Sequence, residues 1–176
     1  MCFEELLVLH ASPTLANLKP ASLISMSNAV HGSECLIELE KRGLSFFSLS
    51  NSKGQSLLLV YRREKLKQTL CTPQAEAILG RFGYPESLDE RLGFLRRRFR
   101  STRCPHEVGL FLGYPPEDVE GFIENKGQGA LYSGMWKVYS DKENAERILQ
   151  RWAKCRRKYM ECFLSGTDIA RLCVTA

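Results

Sequence analysis

LSFFSLSNSKGQSLLLVYRR, residues 44–63, is the stretch whose reading decides the fold. Residues 44–51 and 56–63 are rich in Leu, Val, Phe and Tyr, and Ser52-Lys53-Gly54-Gln55 between them is turn chemistry. Two strands joined this way predict a hairpin. Upstream of it, Gly43 stops a helix expected over 34–42, which Ser33 can cap. Residues 21–26 are a candidate strand. Pro13 and Pro20 punctuate the segment before it, and residues 3–9 form a short apolar run of open type.

Downstream, Thr72 before Pro73 starts a helix to about Phe82, closed by Gly83-Tyr84-Pro85. Ser87-Leu88-Asp89-Glu90 is a capping box. The helix it opens carries Leu88, Leu92, Leu95 and Phe99 on one stripe, with its arginines off it. EVGLFLG, 107–113, is expected to be a strand, although periodicity does not separate a buried strand from a helical turn. Glu117 and Asp118 suit the positive end of a helix running to about Asn125 and closed by Lys126-Gly127. Residues 131–140 predict a strand interrupted at Gly134. Ser140-Asp141-Lys142-Glu143 is a second capping box. It opens the longest helix, to about Phe163, with Ala145, Ile148, Leu149, Trp152, Cys155, Tyr159 and Cys162 on one face. A short helix from Thr167 to Cys173 follows. The sum is an α+β chain, one domain over 1–176. Its mixed β-sheet has four to five strands, contains the 44–63 hairpin, and is covered by helices.

Composition narrows the class. The chain is 44% hydrophobic and 26% charged, as globular chains are. At 176 residues it can bury roughly 70% of its unfolded surface, so it needs no disulfide or metal to fold. No apolar run approaches the roughly 20 residues that span a bilayer. Glu4 and Glu5 stand where a signal peptide would be basic, so the expected location is the cytoplasm, with no membrane partner. Seven cysteines, an odd number without C-x-x-C spacing, argue against a disulfide framework or a zinc ribbon. The net charge of +5 sits mainly in Arg91, Arg96, Arg97, Arg98, Arg100 and Arg103. That run could meet phosphate, but no nucleic-acid-reading motif accompanies it, and a solvated helix face explains it.

No phosphate-binding loop, dinucleotide fingerprint, zinc-protease helix or nucleophile elbow is present. Cys104-Pro105-His106-Glu107 is the one compact set of reactive types. A thiolate needs a neighbouring cation or base. Adjacent residues on a strand face opposite ways, so His106 and Glu107 are catalytic candidates that would not share a face. His10, His31 and His106 lie far apart in sequence and make no metal set; a site from His10, His106, Glu107 and Cys155 has no supporting spacing. Tyr114, Trp136, Lys137 and Tyr139, among the glycines 109, 113, 121, 127 and 134, could wall a pocket for a flat ligand.

These residues carry a family resemblance. Pro105 to Pro115, Glu117-Asp118-Val119, Gly121-Phe122-Ile123 and Trp136 to Tyr139 resemble the signature of a bacterial family, domain of unknown function 3793. Pro13 to Ala16 with Lys19, Leu59 to Arg62, and Lys154-Cys155-Arg156 are similar to further blocks of it. The resemblance covers nearly the whole chain. It implies a small cytosolic protein associated with iron or redox physiology, and no particular cofactor or activity. It adds His10, Lys19, Tyr61 and Arg62 to the candidate ligand-binding residues, beside Lys126 near the Tyr114 and Trp136 surface. The chain departs from the family pattern at Ala11, where a cysteine is expected, and at Cys104, where Phe is; both departures weigh against thiol chemistry. The expected function is binding of a small ligand or a redox partner protein. The alternative is an enzyme using His106 as acid or base with a nearby thiol or carboxylate.

Overall fold

The computed structural model describes residues 2–26 and 34–175. His31 and the expected cap Ser33 lie outside the described residues. The elements in chain order are α1 (Phe3–Leu15), β1 (Ala21–Met26), α2 (Glu34–Lys41), β2 (Leu44–Ser50), β3 (Ser56–Arg62), α3 (Arg63–Leu70) and α4 (Pro73–Arg81). There follow α5 (Leu88–Ser101), α6 (Val108–Phe111), α7 (Pro116–Glu124), β4 (Tyr132–Ser133), β5 (Lys137–Val138), α8 (Lys142–Leu164) and α9 (Ile169–Leu172).

The 44–63 hairpin forms: β2 and β3 pair antiparallel from Leu44 opposite Arg62 to Ser50 opposite Ser56. The Asn51 side-chain oxygen accepts the N–H groups of Lys53 and Gln55 and holds the turn. β1 pairs with the other edge of β3, Ala21 opposite Tyr61, so the order is β1-β3-β2. The α+β class is as expected. Among the described residues, however, the five strands divide between two antiparallel sheets and do not join one mixed sheet. Residues 131–140 fold back at Gly134-Met135 and pair with themselves, Tyr132 opposite Val138, with Leu131 N–H donating to Val138 O. Their backbone groups are thereby used.

Successive side chains of a strand point to opposite faces. On β3, Leu57, Leu59 and Tyr61 meet a core built from α3 to α7 with Leu66, Ile78, Leu92, Phe99 and Phe111. Leu58 and Val60 meet a second core with Leu7, Val8 and Leu15 of α1, Leu39 of α2 and Ile169 of α9. Each such side chain, fully buried, contributes about 1.5–3 kcal/mol. A third, smaller core joins Trp136, Val138, Ala145 and Trp152, with Leu18, Tyr114, Ile148 and Leu149 against it.

Arg62 ends β3 on the α1 side and is 2% exposed. Its Nε donates to Thr14 O (3.0 Å), Nη1 to Arg42 O (2.8 Å), and Nη2 to Leu15 O (2.6 Å) and Val174 O (2.7 Å). Thr14 and Leu15 carry carbonyls of the last turn of α1, which lack helical partners and favour a cation.

Three local expectations change. Residues 107–113 form the helical turn α6, not a strand: Val108 to Leu112 are all buried, so their apolar run carries no period. α1 runs through Pro13 to Leu15, although Pro13 cannot donate to Leu9 O. The second capping box is displaced: Ser140 bonds Asp118 through both N and Oγ, and Asp141 caps α8 by accepting Asn144 N–H.

Candidate functional site

Lys19 reaches its place through the end of α1. Leu18 N–H donates to Pro13 O (2.8 Å) and Asn17 N–H to Thr14 O (3.1 Å), with Asn17 at φ 54°. This is a Schellman stop, with Asn filling the left-handed position that glycine usually takes. It reverses the chain and turns Lys19 under the helix, where its own N–H also finds Pro13 O. Pro20 follows, and Gly113 rests on it: Gly113 has φ +73°, and a Cβ there would stand 2.5 Å from Pro20 Cδ. Tyr114 comes next and brings its ring beside Lys19. Gly113→Ala is therefore expected to lower stability by about 2 kcal/mol or more, from strained backbone plus the clash. Urea denaturation with an unchanged slope would register it.

Lys19 is 5% exposed. Its Nζ lies 4.8 Å from the Trp152 ring centroid and 5.5 Å from that of Tyr114. Among the described residues it has no hydrogen-bond or ion-pair partner. Burial pulls its pKa down from 10.5 to about 8. It lines a cavity of about 430 Å³ together with His10, Ser22, Tyr114, Trp152 and Arg156. No Asp or Glu is in that wall. On α8, Leu149, Trp152, Ala153 and Arg156 line it at offsets of three, four and seven, one helical face.

A second cavity, about 550 Å³, lies beyond Tyr114, Gly134 and Met135, which line both. Arg103, Cys104, His106, Phe122, Trp136 and Lys137 are among its walls. Trp136 stacks on Tyr114 at 4.9 Å and donates its indole N–H to Asp118. Asp118 also accepts Tyr139 N–H, Ser140 N–H and the Ser140 hydroxyl, so its carboxylate is fully engaged. Lys137 Nζ donates to Gly127 O. His106 is exposed and meets the Phe122 ring edge-on at 4.9 Å. Burial pushes the Cys104 thiol pKa up, the wrong direction for a nucleophile.

The two cavities gather His10, Lys19, His106, Tyr114, Trp136 and Lys137. Tyr61, Arg62, Glu107, Lys126, Tyr139 and Cys155 line neither. Tyr61 is in the first core. Tyr139 packs on Gly121, and its buried hydroxyl has no partner among the described residues. Lys126 is exposed at the end of α7. Glu107 is fully buried; it accepts Arg98 Nε at 2.7 Å and the Tyr84 hydroxyl at 3.1 Å. Glu107→Ala is expected to cost about 3 kcal/mol by leaving both partners behind, seen as a lower urea midpoint; a purely chemical role would leave that midpoint in place. The arginine run is also engaged: Arg91 with Pro85 O, Leu70 O and Glu76, Arg96 with Ser48 O and the Phe47 ring, Arg98 with Glu107.

Arg156 and Trp152 were not picked out as site residues. Their spacing of four with Leu149 upstream was the available signal, and it reads equally as core. Among the described residues no group of three or more His, Cys, Asp or Glu converges, and no helix is long and apolar enough to cross a membrane.

A three-stranded antiparallel sheet between helical layers, flanked by a basic, aromatic-walled cavity without an acid, defines an α+β protein with a candidate anion site. The chain belongs to the family described as Protein of unknown function (DUF3793), whose model matches residues 7–173. No curated protein and no solved structure matches it.

Proposed function

We propose that the protein binds a small anionic molecule with a flat, apolar body in the Lys19 cavity. One observation carries this reading: a buried ammonium faces an open cavity with aromatic rings but no counter-charge. Isolating such a charge is unfavourable by several kcal/mol, and the two cation–π contacts return only about 1 kcal/mol. A bound carboxylate or phosphate would supply the missing partner, with Arg156 adding positive charge at the same wall. Tyr114 and Trp152 offer the flat ligand apolar surface. A bacterial cytoplasmic setting near iron or redox physiology, which the resemblance implies, puts flavin mononucleotide and haem on the ligand panel beside phenyllactate and inorganic phosphate.

The chain has two tryptophans, and each lines a cavity, Trp152 the first and Trp136 the second. Binding is therefore expected to change intrinsic tryptophan fluorescence. A ligand at 100-fold excess over Kd should add about 2.7 kcal/mol of stability. Arg156→Ala should weaken both effects. Absence of any fluorescence or Tm change across the panel at millimolar concentration would sink the reading.

A further inference from the structure

We infer that Lys19 captures a carbonyl group: its Nζ forms a reversible imine with an α-keto acid held in the cavity. The inference rests on the anion-binding reading for the carboxylate and goes beyond it in the chemistry. An amine that is to attack a carbonyl must be unprotonated, unencumbered and aimed into a space the substrate can enter. Lys19 meets the geometric conditions: it is 5% exposed, has no partner among the described residues, and lines the 430 Å³ cavity. Its lowered pKa of about 8 leaves roughly one molecule in ten as free amine at neutral pH, against fewer than one in a thousand for an ordinary lysine. Lysines desolvated in apolar pockets are the ones suited to Schiff-base chemistry.

The remaining wall fits the rest of the substrate. Arg156 is the cation for the carboxylate next to the carbonyl. The titratable and charged groups around the cavity are His10 from α1, Tyr114 from the turn after α6, Tyr132 from β4 and Arg156 from α8. The Tyr114 hydroxyl is pushed up to about 12 by burial and stays protonated. His10 is exposed at the wall, where the cavity meets solvent. In the step itself, the Nζ lone pair bonds to the carbonyl carbon and the C=O π pair moves to oxygen. Nitrogen loses a proton, oxygen gains one, and the carbinolamine then loses its hydroxyl with a second proton as water, leaving C=N. No electrons are exchanged.

The test uses the full chain with glyoxylate, pyruvate or phenylpyruvate and sodium cyanoborohydride, which reduces an imine to a secondary amine. Intact mass and peptide mapping are expected to show one adduct, at Lys19, forming faster as pH rises from 7 to 9. Phenyllactate, which keeps the carboxylate and ring but lacks the carbonyl, should compete. Lys19→Arg and Lys19→Met should show no adduct, and Lys19→Arg, retaining charge, should still bind phenyllactate by fluorescence. Adducts scattered over surface lysines, or none with any of the three acids, would overturn the imine. Phenyllactate binding without an adduct would leave anion binding standing alone; an adduct at Lys19 without phenyllactate binding would support the imine and count against the anion site.

Discussion

At neutral pH the Lys19→Met protein is expected to melt roughly 4–8 °C above the wild type while its affinity for small anions falls at least about tenfold. Folding buries the Lys19 ammonium against Tyr114 and Trp152, with nothing to pair it among the described residues. The native lysine releases its proton at about 8, the unfolded one at the ordinary 10.5. That difference is on the order of 3 kcal/mol against the charged native state. Losing the cation–π contacts takes back about 1 kcal/mol, so methionine should gain about 2 kcal/mol. The pH dependence has a fixed sign. Below about 8 both states are protonated and the full penalty stands. Between about 8 and 10.5 the unfolded chain binds more protons than the native one, so wild-type stability rises with pH relative to the variant. The gap between Lys19→Met and wild type should therefore be constant below pH 8 and close above it. Thermal denaturation of both proteins across pH 6 to 10 is the check; a variant less stable than wild type at pH 7 would show that the ammonium has a partner in solution.

Arg62→Met works in the other direction. It is expected to lower stability by about 4 kcal/mol, since hydrogen bonds from a charged donor contribute about 1.5–3 kcal/mol each and abandoned buried acceptors add to the loss. The corresponding fall in Tm is roughly 8–16 °C for a chain of this length. The carbonyls of Thr14, Leu15, Arg42 and Val174 all converge on this guanidinium. Arg62→Lys should recover little, because an ammonium cannot fork toward carbonyls on several sides at once. A loss below about 1 kcal/mol in urea denaturation would mean that water replaces the side chain. The same experiment separates Arg62 from the ligand site: residual folded Arg62→Lys protein should bind phenyllactate as wild type does.

These two residues also mark where the sequence was readable and where it was not. The 44–63 hairpin was legible because its signals are local: strand-forming residues on either side of Ser52 to Gln55. The Leu88-Leu92-Leu95-Phe99 stripe was legible for the same reason, and all four side chains are buried. Val108 to Leu112 was not, since a fully buried turn and a fully buried strand are equally apolar. Tyr132 to Val138 was read as one strand because Gly134 marks an interruption without saying that the chain reverses there. Lys19 and Arg62 both enter the candidate ligand-binding set through the family resemblance, which does not separate them. What distinguishes them is tertiary: the Lys19 ammonium lines an open cavity without a partner among the described residues, whereas Arg62 has its donors filled by backbone 20 to 112 residues away. Glu107 was separated from His106 by the alternation of a strand, and they do part company, but through the helical turn α6 and the pull of Arg98 and Tyr84.

The distances along the chain that Arg62 spans have a kinetic meaning. It joins β3 to carbonyls 48 residues earlier and 112 residues later. Closing loops of that length is entropically costly, so these bonds are expected to form after the local 44–63 hairpin. Interactions absent from the transition state act on the unfolding rate. Arg62→Met is therefore expected to act mainly on the unfolding rate, and substitutions within residues 44–63 on the refolding rate, as stopped-flow kinetics would read them.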